Sequence, residues 1–176
     1  MSAEALPYTL LVLLTELAVG GLWVLVAAQW RGQSAESFVK FSAAIVPVLA
    51  AIAFAVAASL EVKDEIDGYV VDTSWASWAK WSLLGVLVLS VPYMALTVRG
   101  ARGPALVAGG AASLAGVAAL GFLAAEFSEP AWGYPLVLAS MVVGALVLGA
   151  VSLGMVLGHW YLVTPRLPER PLREMT

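Results

Sequence analysis

Five uninterrupted apolar runs, each close to the length of a bilayer crossing, constrain this chain more than any motif in it. A helix rises about 1.5 Å per residue, so about 20 apolar residues cross a hydrocarbon core of roughly 30 Å. The runs cover 7–28, 41–60, 81–98, 105–125 and 134–163. Backbone polar groups at that depth need partners inside the protein, and Ala- and Leu-rich stretches of this length satisfy them as helices, not as barrel strands. The sequence therefore predicts an all-α fold: a polytopic membrane helical bundle with five transmembrane helices, forming one domain over 1–176. Composition agrees. With 61% hydrophobic and 12% charged residues among 176, too little polar surface exists for a water-soluble domain, which carries roughly a quarter charged residues. The fifth run would exceed about 40 Å as a helix and so must tilt or emerge from the bilayer.

Direction follows from the basic residues, because short cytoplasmic loops retain Lys and Arg. Seven of the nine fall on one side: Arg31, Lys40, Arg99, Arg102, Arg166, Arg170 and Arg173. Only Lys63 and Lys80 lie on the other, among Glu61, Asp64, Glu65, Asp67, Asp72, Glu126 and Glu129. This predicts an N-terminus outside and a C-terminus in the cytoplasm, in a prokaryotic cytoplasmic (inner) membrane. Reading the first run as a signal peptide fails on sign, since Glu4 precedes it and no Lys or Arg does. Segment 61–80 reads as an acidic, Trp-rich external loop. Within it Asp67-Gly68 marks a turn, 69–71 a short extended piece, and 72–74 a helix cap. Trp75, Trp78 and Trp81 then repeat every three residues, a stripe suited to a headgroup interface. Segment 164–176 alternates Pro165, Pro168 and Pro171 with arginines and reads as an extended cytoplasmic tail.

Several chemistries are excluded by counting. With no cysteine there is no disulfide, iron–sulfur cluster or thiolate nucleophile, and one histidine cannot build a bis-histidine haem or a three-histidine zinc site within one copy. A net charge of −3 leaves no basic surplus for nucleic acid. No Walker loop, GxGxxG, HExxH or GxSxG occurs. The expectation is a chain with no catalytic residues or metal of its own.

Glu16 is the most unusual residue, a carboxylate in Leu-Leu-Thr-Glu-Leu-Ala about nine residues inside the first run. An acidic residue at a helix centre costs near +3 kcal/mol, so it is expected to face other helices and sit protonated. Two roles follow. It serves as a proton or cation relay, or it is a neutral acid fixing helix packing, in which case Glu16→Leu strands its partner. His159, near the cytoplasmic end of the fifth run, offers a quinone contact or a proton role. As a haem or chlorin ligand it is disfavoured by Met155 four residues before it, where chlorophyll helices often carry a small residue. The alternative is an interfacial cluster with Trp160 and Tyr161. By depth, Trp30, Tyr93 and Tyr161 join His159 as ring groups at a possible quinone or ligand contact, with Gln29 and Thr97 nearby. Gly154 and Gly158 form a GxxxG spacing for close helix packing, and Gly109, Ser113 and Gly116 line the fourth helix.

A short multi-span chain with a mid-helix carboxylate and one histidine resembles membrane subunits of respiratory complexes. The chain has packing faces, one buried acid and one inner histidine but no self-sufficient catalytic or cofactor constellation, so the expectation is a non-catalytic integral subunit or accessory protein of a larger membrane complex, respiratory or otherwise electron-transferring, contributing to a quinone-proximal site. Its partners would be the lipid bilayer and other membrane subunits or copies of itself, and no cofactor would be held by this chain alone. The alternative is a homo-oligomeric proton-coupled transporter or channel in which Glu16 of each copy faces a shared axis.

Overall fold

A computed structural model of the chain describes residues 5–32, 34–128 and 133–163. Five α-helices run over Leu6–Arg31 (α1), Glu36–Ser59 (α2), Ala76–Val98 (α3), Arg102–Glu126 (α4) and Tyr134–Val163 (α5). All five are long and apolar enough to cross a membrane. The Pro/Arg tail, including Arg166, Arg170 and Arg173, lies outside the described residues, as do Glu4, Glu129 and the side chain of Tyr161.

Two helices begin well before their apolar runs. Helix α2 starts at Glu36, where an i,i+4 ion pair between Glu36 and Lys40 (2.6 Å) supports a polar first turn. Helix α3 starts at Ala76, prolonging a 3₁₀ turn over Thr73–Trp75. Helical hydrogen bonding needs no apolar side chains, so hydropathy marks the lipid-facing length and not the helix end. Pro7 sits in the first turn of α1, where its missing N–H costs nothing. Gly32 closes α1 in the left-handed region, φ 70°, its N–H donating to the Ala28 carbonyl.

Helices α1, α2, α3 and α4 form a ring in which each touches its sequence neighbour and α4 closes back on α1. Helix α5 lies outside the ring against α1 and, less extensively, α4. Helix α1 is therefore the most enclosed helix and α5 the least. Lipid tails are as apolar as leucine, so close approach and dispersion, not water exclusion, hold such helices together. The closest approach is between α1 and α5: a Cβ built on Gly20 would lie 1.7 Å from the Ala145 carbonyl oxygen, and one on Gly149 would lie 2.2 Å from the Gly20 carbonyl carbon. On α4, Gly109 receives Val26 and Tyr93, and Gly116 receives Val19. At Gly158 a Cβ would meet no atom within 4 Å, so that half of the expected Gly154–Gly158 pair makes no close contact among the described residues.

The loop after α2 departs from a purely helical fold. Strands β1 (Glu65–Ile66) and β2 (Tyr69–Val70) pair antiparallel across Asp67 and Gly68, both with positive φ (52° and 86°). The hairpin is fastened to the bundle. The Tyr8 hydroxyl donates to the Glu61 carbonyl (2.8 Å) and accepts from the Lys63 N–H (3.2 Å), while Tyr8 packs with Ile66, Val71 and Phe127. The Asp72 N–H donates to the Glu126 carbonyl (2.9 Å), tying the loop to the end of α4. Trp75 stacks on Phe122 at 5.8 Å, with Trp78 against the same ring at 6.0 Å, so two tryptophans of the stripe touch the chain on one face, while Trp78 and Trp81 stay exposed.

Candidate functional site

Helix α1 carries polar groups at three levels: Tyr8 at the hairpin end, Thr15 and Glu16 in the middle, and Gln29 at the end that holds Arg31, Arg99 and Arg102. Each level meets a different set of partners.

In the middle, Glu16 is buried, as its cost in hydrocarbon demands. Its carboxylate oxygens occupy the space over Gly144 of α5, where a Cβ would stand only 2.7–2.8 Å from them. One turn on, Gly20 brings the α1 backbone onto α5 at Ala145. The absence of a side chain at Gly144 thus makes the slot, and the tight seam beneath closes it. Among the described residues Glu16 has no hydrogen-bond or ion-pair partner. The neighbouring Thr15 hydroxyl is also buried and unpartnered.

At the arginine end the structure brings together Gln29, Tyr93 and Thr97. The Gln29 amide Nε2 donates to the Thr97 hydroxyl at 3.4 Å, and the Gln29 Oε1 and the fully enclosed Tyr93 hydroxyl make no hydrogen bond. Beside Gln29 and Thr97 opens a cavity of about 260 Å³, also lined by Ser34, Glu36, Lys40 and Arg102. The other expected ring groups do not converge here. Trp30 is exposed, with its carbonyl accepting from the Arg102 guanidinium (2.7 Å); His159 is exposed, and Trp160 packs on Phe41 at 5.5 Å.

At the hairpin end a cavity of about 390 Å³ is lined by Tyr8, Asp64, Thr73, Ser77, Lys80 and Glu126. Glu126 is buried there, and the negative charge of Asp72 acts on it. Asp72 itself accepts from the Ser74 hydroxyl (2.6 Å) and N–H (3.1 Å), which hold its carboxyl below the usual carboxylate range. Sequence reasoning placed Glu126 only as one acid among many on this side and passed over Tyr8. Depth alone gave no sign that either faces a cavity.

Apolar side chains of α1 lie between the middle and arginine-end levels, while the hairpin-end cavity reaches down to Leu11. Between Glu16 and Gln29, roughly 20 Å along the helix, α1 presents Val19, Leu22 and Leu25, all fully buried; the Ser42 and Ser90 side chains are buried on the neighbouring helices, Ser90 donating to the Leu87 carbonyl. Leu11 is buried between Tyr8 and Glu16. Among the described residues no group of three or more His, Cys, Asp or Glu side chains stands close enough to hold a metal ion. Comparison with family models, curated proteins and solved structures gives no match.

Proposed function

We propose that the chain is a non-catalytic integral membrane subunit or accessory protein of a larger membrane complex, of a respiratory or other electron-transfer kind. In this reading it lies in a prokaryotic cytoplasmic membrane with the hairpin end outside and the arginines in the cytoplasm. The observation that carries the reading is the placement of Glu16: it is turned into the α1–α5 seam of its own chain, and buried Val19, Leu22 and Leu25 stand between it and Gln29 at the arginine end. A relay through a single copy needs a continuous polar path, and a relay along a shared axis needs Glu16 on the outside of the bundle. A packing role needs neither. The quinone-proximal part of the proposal rests on Trp30 and His159, exposed at the arginine end and open to a site that another subunit completes. Tyr93, enclosed in the core, would steady α3 behind that site and not touch the quinone.

Purification from native membranes in mild detergent tests the proposal. Co-purifying membrane subunits with haem or flavin absorbance are expected. A homogeneous homo-oligomer that conducts or exchanges protons when reconstituted would overturn it and restore Glu16 as a relay.

A further inference from the structure

The cavity at the arginine end lies where four helix ends meet: the last turns of α1 and α3 and the first turns of α2 and α4. In a chain that spans a bilayer, this is the depth of the phospholipid headgroups. Its lining carries two cations and one anion. Lys40 is already paired with Glu36, while Arg102 has no carboxylate partner among the described residues. Among the described residues one positive charge is therefore uncompensated.

The fold places that charge deliberately at the cavity wall. The Arg102 guanidinium is anchored by one bond to the Trp30 carbonyl and packs against Gly32, where a Cβ would come within 2.6 Å of it. A guanidinium so held keeps further N–H donors for a planar pair of oxygens. The first turns of α2 and α4, which have no side-chain cap, bring free backbone N–H groups to the same end; the carbonyl ends of α1 and α3 meet there too and offset their macrodipoles, which leaves Arg102 as the charge. Gln29 supplies a second, independent sign of a missing partner: its Oε1 is buried without a hydrogen bond, and its one bond to Thr97 is long. Gln29 lines the cavity, and its amide nitrogen keeps a second N–H beyond the one given to Thr97 that can serve a ligand oxygen.

We propose that this cavity binds the phosphate group of an anionic phospholipid, with Arg102 as the charged anchor and Gln29, Ser34 and Thr97 as hydrogen-bonding groups. The acyl chains would leave the cavity along the lipid-facing surface of the bundle. The proposal concerns lipid recognition and stands whether or not the chain serves an electron-transfer complex.

Native mass spectrometry of the delipidated full chain, titrated separately with phosphatidylglycerol and phosphatidylcholine, tests it, with inorganic phosphate as the soluble probe. Phosphatidylglycerol should bind as a discrete single adduct, and Arg102→Gln should weaken it about fivefold, the effect of one basic residue near an anionic headgroup. Arg99→Gln, at the same end but outside the cavity lining, should leave the adduct unchanged. Because Arg102 also caps the Trp30 carbonyl, Lys40→Gln provides the second variant. It removes a surface pair and brings the cavity charge to zero, and it should also weaken the adduct. Equal losses from Arg99→Gln and Arg102→Gln would overturn the proposal in favour of diffuse surface charge. Equal binding of the two lipids would overturn the anionic preference, and saturation by inorganic phosphate alone would overturn the lipid as the source of the phosphate.

Discussion

The most exacting test of the packing is Gly20→Ala in the middle of α1. The new methyl would stand 1.7 Å from the Ala145 carbonyl oxygen and 2.5 Å from the Ala145 carbonyl carbon. Ordinary contact begins near 3.4 Å, so the shortfall is 3.4 − 1.7 = 1.7 Å, and the obstacle is backbone that no rotamer change can move. The two helices must separate by a comparable distance. A gap of 0.5–1 Å already forfeits a quarter to a half of a dispersion well, so the seam around Gly20, Gly149 and Ala145 would lose most of its attraction. Overpacking a rigid core costs about 1–3 kcal/mol, and a backbone-on-backbone clash belongs at the upper end, about 3 kcal/mol. For a chain of this size that corresponds to a fall in Tm of roughly 6–12 °C. Thermal unfolding followed by tryptophan fluorescence in detergent measures it. Gly158→Ala, with open space at its Cβ, is the matched control and should change Tm by less than about 2 °C. Gly20→Ala matching wild type, or Gly158→Ala proving the more damaging, would refute the α1–α5 seam as the tight contact.

Four further outcomes follow from particular contacts. Glu16→Leu should be tolerated within about 1 kcal/mol, because among the described residues the carboxylate has no partner to strand; a loss above about 1 kcal/mol in detergent unfolding would reveal a partner for it. Tyr8→Phe removes two hydrogen bonds that fasten the hairpin and should raise hydrogen exchange over residues 61–70, at a cost of about 1–2 kcal/mol; unchanged exchange would count against the latch. Asp72 has a folded pKa held below its ordinary value of 3.8, so its contribution is present above that pH and is lost as pH falls through the lowered folded value. Exchange at 73–76 should therefore rise below about pH 4, and Asp72→Asn should abolish that dependence. Single cysteines replacing Asp67 and Arg99 should react with an impermeant thiol reagent in intact cells at 67 and not at 99; the reverse pattern would invert the orientation.

The five helices were legible in the sequence because bilayer thickness imposes one length on every crossing, and backbone polar groups in hydrocarbon have no alternative to the helix. The Asp67-Gly68 turn was readable for a local reason as well, since it depends on backbone conformation within two residues. The burial of Glu16 also followed from its cost in lipid. What it packs against did not. The slot over Gly144 exists because α5 lies parallel to α1, and nothing in the apolar pattern selects α5, rather than α2 or α4, as the helix opposite residue 16. The tight seam escaped notice for a related reason: Gly144 and Gly149 are five residues apart, outside the four-residue spacing that draws the eye to Gly154 and Gly158, and Gly149 matters only because Gly20 of another helix comes against it. At the arginine end, depth arithmetic grouped Trp30, Tyr93, Tyr161 and His159, but depth carries no azimuth. Rotation about each helix axis turned Tyr93 into the core and Trp30 and His159 outward, while Gln29, Thr97 and Arg102 were brought to one cavity. Hydropathy settles which residues cross a membrane; which faces meet is settled by small residues matching across helices distant in sequence, and that pairing exists only in the folded bundle.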